Sequence, residues 1–325
     1  MVLDTKIQHE YLLIRIYEDN IIGRGFLLRI PFVAMEEIES NTWWNIKFSD
    51  EEKLRLKSLI QIDILSKIMM YIEDLAILAE SFLLKKDFYE LIIDKNIDIG
   101  KKTGEFIQGI DYLTDENISQ IMNFINVQQI ISDDRYGELL KQHLNYHVET
   151  ARSKLKEIRK FSSSANHLLY KRFKHGGMPI IPNVLQQPPR SGALSVFEVL
   201  NIVAEGSDPF KDIIIIPYSK DVLRGYEKII ENVQTLLQEI VKNRRICIER
   251  NIDGMIPEKY SSDLFSAEEI SYMQGKFNDF YNMHPIGEIP HNLDYNINKK
   301  NSQSILEKIE WYLESSKKIS TNSIN

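Results

Sequence analysis

The sequence predicts a mainly α, multi-helix bundle-like protein with at most a small β element. Three observations carry that expectation. Long stretches place apolar residues at helical spacing, foremost Leu54–Leu84, which has no glycine or proline, and Asp221–Arg250, which has no proline. Helix-start signals recur: Ser49-Asp50-Glu51-Glu52, Thr114-Asp115-Glu116, Ser132-Asp133-Asp134 and Ser266-Ala267-Glu268-Glu269. Breakers are scarce, with 14 glycines and 10 prolines in 325 residues. That is about 7% against about 12% in an average protein, too few for a turn-rich sandwich or barrel.

The remaining composition bounds the class. Hydrophobic residues make up 43% and charged residues 27%, ordinary for a globular chain, which excludes wholesale disorder. The length suits two average domains or one large one. The single cysteine, Cys247, allows no intrachain disulfide and no cysteine-based zinc cluster. With no apolar leader and no run of about 20 apolar residues, a soluble, cytoplasmic protein is expected, with no membrane partner. The abundance of Ile, Asn and Lys fits AT-rich codons and a bacterial source.

The elements follow in order. Residues 7–34 are ambiguous between a hairpin and a helix, because Gly23-Arg24-Gly25 divides two short apolar runs. Helix follows from Ser49 to Leu84, its inner stripe formed by Leu65, Ile68, Met69, Ile72, Leu75, Ala76, Ala79 and Leu83, and continues over 86–95. Asp98, Gly100, Gly104 and Gly109 mark a looser region. Helix restarts at Thr114, and again from Arg135 to Lys174 with a break expected near Ser162-Ser163-Ser164. Residues 178–192 hold four prolines and Gly192, the strongest punctuation in the chain. They suggest an N-terminal helical domain over 1–176, a Pro/Gly-rich connection over 177–192 and a mainly helical region over 193–325. The two regions can equally pack as one unit. Asp212–Pro217, with four consecutive isoleucines, reads as a short buried strand. Helices then span 221–250, 266–281 and 303–317.

One region departs from the overall charge. Residues 151–175 carry eight cations against the single acid Glu157, a local +7 in a chain whose total is −7. On a continuous helix Arg152, Lys156, Arg159, Ser163, His167, Tyr170 and Lys174 share a face. Arg159, His167, Tyr170, Lys171, Lys174 and His175 are the candidate anion-binding residues. Cations neutralise phosphates, a tyrosine ring stacks on a base, and a histidine at a helix C-terminus is favoured in its charged form. Nucleic acid or a nucleotide is the ligand class this favours. The competing reading is a solvated face that pairs with acidic neighbours such as residues 87–98.

The end of this segment, Asn166 to Gly177, resembles over about a dozen residues the HEPN superfamily of helical RNA-cleaving and nucleotide-binding domains. An asparagine followed by a Lys-His pair near a helix end carries the likeness. That family sets its catalytic histidine a short step after an arginine. Here Arg159 lies eight residues before His167 and Arg172 three before His175, so neither spacing fits and cleavage by that route is not expected.

Two other constellations qualify for chemistry. His143 and His147, at i and i+4, share a helix face and can ligate a metal, although Leu144 stands where zinc proteases place a glutamate. Asp63, Glu73, Asp74 and Glu80, with Asp87, Glu90, Asp94 and Asp98 beyond, are carboxylates of the kind that hold Mg²⁺ between helices. No phosphate-binding glycine loop, dinucleotide fingerprint or serine nucleophile elbow occurs, so no cofactor is expected. Cys247 lies near Arg244, Arg245 and Arg250, but a buried structural thiol is the commoner case. The functional expectation is an anion-binding helical protein. The alternatives are a metal-dependent phosphohydrolase or nuclease, and a non-catalytic scaffold meeting an acidic protein partner.

Overall fold

In the computed structural model, helix α1 runs from Thr5 to Ser40 and settles the ambiguity of the first forty residues in favour of helix. Its core contacts explain why it tolerates Gly23, Gly25 and Pro31. Ile14, Ile21, Leu28 and Met35 recur every seven residues and all are buried, joined by Ile38. Each such side chain contributes about 1.5–3 kcal/mol on burial, enough to outweigh a proline that withholds one helical N–H and costs about 3 kcal/mol. The structure describes residues 5–40, 47–84, 98–126, 135–162, 165–174, 198–204 and 213–286.

Helix α2 (Asp50–Leu84) is the hub. Ser49 and Glu52 form the expected reciprocal cap, the Ser49 backbone N–H donating to Glu52 Oε2 at 2.8 Å and the Glu52 N–H to Ser49 Oγ at 3.3 Å. Ile62, Leu65, Ile68, Met69, Ile72, Leu75, Ala76 and Ala79 are buried along its inner stripe. Against α2 pack α1, α3 (Ile99–Gly109), α4 (Asp115–Met122), α6 (Ala165–Lys174), α7 (Lys220–Arg250) and a strand.

Helix α3 corrects the looser region expected from its glycines. Asp98 caps it by accepting from the Lys101 N–H at 3.0 Å, and Thr103, Phe106 and Ile107 are buried. Gly104 and Gly109 have nothing within 4 Å of a notional Cβ, so they lie on the open side. The basic stretch forms two helices, α5 (Arg135–Ser162) and α6. Thr114 caps α4 in a reciprocal pair with Asn117.

The small β element is an antiparallel hairpin, β1 (Glu198–Ala204) and β2 (Ile213–Tyr218), with an irregularity between Val199 and Asn201. Pro217, which has no N–H for the ladder, pairs with Val199 at that irregularity. The isoleucine run is therefore a strand, and Ile216 is 1% exposed. α7 buries the expected stripe of Tyr226, Ile229, Ile230, Val233, Leu236, Leu237 and Ile240. α8 (Ala267–Met283) starts at the Ser266/Glu269 capping box and packs on α5 through Leu139, Phe265 and Met273.

Between α7 and α8 the chain returns to the end of α4. Asn123 and Asn251, both left-handed at φ 55° and 53°, terminate α4 and α7. Phe124 and Met255 then form a parallel bridge, with the Met255 N–H donating to Asn123 O at 2.9 Å and the Ile125 N–H to Met255 O at 3.1 Å. A Cβ at Gly254 would lie 2.8 Å from the Phe124 and Ile125 backbone, so only glycine fits this approach.

Thr5–Pro285 make up one compact unit. The other, Met1–Asp4 with Ile286–Asn325, includes only Ile286 among the described residues. The expected connection at 177–192, the helices over 86–95 and 303–317 and the cap at 132–134 lie outside them. Among the described residues, no helix is long and apolar enough to cross a membrane.

Candidate functional site

The basic face reaches the surface with most of its groups already engaged. Arg152 binds the Asp115 carboxylate and donates to Leu113 O, and Arg159 Nη1 lies 2.6 Å from Asp111 Oδ2. Asn166, Tyr170 and Lys174, the i, i+4, i+8 stripe of α6, dock that helix. The Tyr226 hydroxyl donates to Asn166 Oδ1 at 3.1 Å. The Tyr170 hydroxyl and Lys174 Nζ both donate to Glu73 Oε1, at 3.1 and 2.8 Å. Burial, together with the Glu73 charge, raises the Tyr170 pKa. Burial pulls Lys174 down, but its hydrogen bonds to Glu73 and Tyr170 outweigh that and hold it above the ordinary lysine value.

Of the six candidate anion-binding residues, the structure thus places Arg159 on one carboxylate and Tyr170 and Lys174 on another. His167 is half-buried with Nδ1 unpartnered, and burial, aided by the Lys171 charge, lowers its pKa. It is neutral near pH 7 and supplies no positive charge there. Lys171 is exposed. His175 lies outside the described residues. Among the described residues, Glu73, Asp111 and Asp115 meet the basic face from elements separate in sequence, and Glu149, one turn earlier on α5, also meets Arg152 at 3.2 Å. Arg172, exposed, and Phe173, 46% exposed, were not among the candidates. With Lys171 they form an accessible cation-and-aromatic end to α6.

The histidine pair serves as a clip. His143 Nε2 donates to Pro257 O at 2.8 Å and His147 Nε2 to Lys259 O at 2.7 Å. A carbonyl can only accept, so both Nε2 atoms carry their proton and neither offers a metal its lone pair. His143 is 0% exposed and stacks on the Tyr260 ring, centroids 4.5 Å apart. Burial pushes its pKa down to about 4, and burial lowers His147 as well. Among the described residues no group of three or more His, Cys, Asp or Glu side chains is placed to hold a metal.

The α2 carboxylates have structural partners too. Asp63 pairs with Lys67 at 2.8 Å and Glu80 with Lys102 at 3.6 Å. Asp98 is the cap of α3, while Asp87, Glu90 and Asp94 lie outside the described residues. Cys247 is 2% exposed and burial pushes its thiol up to about 12, which makes it inert.

A feature that sequence reading missed lies between α1 and α7. A groove with a volume of about 570 Å³ is lined by Leu28, Arg29, Phe32, Val33 and Glu36 of α1 and by Glu227, Ile230, Glu231 and Gln234 of α7. Beside it Leu27, Ile30 and Val33 are 54%, 59% and 55% exposed. The only sequence signal was that residues 26–33 are apolar apart from Arg29, more apolar surface than one buried stripe of a helix uses. No family model, no curated protein and no solved structure matches the chain.

Proposed function

We propose that this chain is a non-catalytic helical interaction protein, a scaffold that presents the outer side of α1 to another macromolecule. The observation that carries the reading is the row of Leu27, Ile30 and Val33, each more than half exposed on a helix whose opposite side is buried against α2 and α7. Contiguous apolar surface of this kind marks interaction sites. Arg159, Tyr170, Lys174, His143 and His147, which suggested chemistry, are tied to structural partners, and the buried free thiol suits a reducing compartment such as the cytoplasm.

The test is Ile30→Asp/Val33→Asp. If the face awaits a partner, the double substitution leaves folding stability within about 0.5 kcal/mol of wild type, as exposed sites do. Losses of several kcal/mol would mean that the rest of the chain covers this face, and would refute the proposal.

A second reading is favoured by the exposed Lys171, Arg172 and Phe173: phosphate or nucleic-acid contact at the end of α6. It predicts salt-sensitive binding of labelled RNA or DNA, lost in Lys171→Glu/Arg172→Glu. These two positions avoid the Glu73 contacts that hold α6 in place. Absence of binding at low salt would eliminate it.

A further inference from the structure

The α1/α7 groove has an apolar floor and an acidic rim, and its acids stand idle. Leu28 and Ile230 are buried at the floor, with Phe32 half-buried and Val33 open. Glu36, Glu227 and Glu231 are exposed around it. None of the three forms an ion pair among the described residues. Elsewhere along the same helices the pattern is the opposite. Glu10 is gripped by Arg244, Glu18 by Arg245 and Glu39 by Lys57. Glu227 and Glu231, four residues apart on α7, repel each other on one face, at a cost of a few tenths of a kcal/mol. Arg29 is the one cation in the lining, and it too is in no ion pair among the described residues.

Resting on the interaction-protein reading, we infer that the groove receives a basic amphipathic helix from another protein. Its apolar side would meet Leu28, Phe32, Val33 and Ile230, and its Lys or Arg flanks would meet Glu36, Glu227 and Glu231. The dimensions agree. Lining positions on α1 run from Gly25 to Glu36, about 16 Å at 1.5 Å per residue, which matches three turns of a docked helix. The two walls are antiparallel, as the Glu10–Arg244 pair at one end and the Met35–Leu223 contact at the other show. Such a pair of helices offers a third a continuous seat. Charge decides against a second copy of this chain. Two such rims brought face to face would set six glutamates against two arginines. It also decides against an acidic helix. Apolar anchors at i, i+3, i+4 and i+7 with basic flanks are what this seat selects.

The test uses the full chain and three labelled 18-residue synthetic peptides: an amphipathic Leu/Lys helix, its Leu/Glu counterpart, and a Leu/Lys peptide of identical composition with scrambled order. The Leu/Lys helix should bind at least tenfold tighter than either control and weaken as salt rises. Glu227→Lys/Glu231→Lys should cost at least tenfold in that affinity. Asp263→Lys/Glu268→Lys, the same change of net charge on exposed residues near the start of α8, should cost less than twofold. Equal losses in the two reversals, or equal affinity for the scrambled peptide, would reduce the binding to general attraction and overturn the assignment. Preference for the Leu/Glu helix, or concentration-dependent self-association abolished by Ile30→Asp/Val33→Asp, would overturn the basic partner but leave the interaction face standing. Failure of the face itself shows separately, in the stability of that double variant.

Discussion

The end of α6 and the α1/α7 groove are both charged, and they use charge in opposite ways. Along α5 and α6 the sequence concentrates cations, and the fold brings carboxylates from other elements to them: Glu73 to Lys174 of α6, and Asp111 to Arg159 and Asp115 to Arg152 of α5. At the groove Glu36, Glu227 and Glu231 share one lining with a single cation, Arg29, and none of the four is in an ion pair among the described residues. Local charge density in a sequence therefore measures supply. Availability depends on what the fold brings opposite, and the two regions differ only in that.

The sharpest way to break the contrast is acid, because His143, His147 and His167 belong to neither class: burial favours their neutral form. His143 has a pKa of about 4 in the folded chain, against about 6.5 when unfolded. Below pH 6.5 the unfolded chain takes up a proton that the folded one refuses. Stability is therefore lost progressively as pH falls from about 6.5 to about 4. For this group alone the loss between pH 7 and 4.5 is about 2–3 kcal/mol. His147 and His167, also lowered, act in the same direction. Urea unfolding at several pH values measures the slope, and His143→Leu should flatten it. A stability that holds constant from pH 7 to 4.5 would contradict the buried neutral clip.

Next in size is the seam beside the groove. Arg244 grips Glu10 with two hydrogen bonds, at 2.6 and 2.9 Å. Arg244→Ala should cost about 2 kcal/mol, the scale of partly buried charged hydrogen bonds. Glu73→Ala should cost about 1 kcal/mol by releasing Tyr170 and Lys174. The same change adds a cation to the exposed end of α6, so any RNA affinity there should rise, which sharpens the comparison directly. Smallest is Glu227→Gln/Glu231→Gln. Relieving the repulsion should raise stability by a few tenths of a kcal/mol, visible as a slightly higher thermal midpoint. A clear loss would mean that these acids are engaged and the contrast false.

What the sequence made legible follows the same division between local and distant information. α2 and α7 were readable because an apolar stripe repeats for about five turns or more in each, and the cap of α2 is written into adjacent residues. α1 was not readable. Gly23, Gly25 and Pro31 each speak against helix locally, and the heptad of Ile14, Ile21, Leu28 and Met35 wins through contacts with α2 and α7 that propensity does not contain. α3 was misread for the same reason, its glycines lying on the open side while Phe106 and Ile107 hold the core. At α6 the stripe of Asn166, Tyr170 and Lys174 was legible as a stripe. Its purpose was not, since Glu73 lies 97 residues from Tyr170. The groove left still less trace, because Glu36 and Glu227 are 191 residues apart in the chain (227 − 36).

The antiparallel seam between α1 and α7 also sets a timetable. Glu10 and Arg244 are 234 residues apart, and the peptide is synthesised from its N-terminus at about 5–20 residues per second. For roughly 10–50 seconds after α1 leaves the ribosome, the helix that covers one of its sides does not exist. The buried row of Ile14, Ile21, Leu28 and Met35 on α1 lacks that cover throughout the interval. During translation α1 is thus a natural target for chaperones that hold apolar chain.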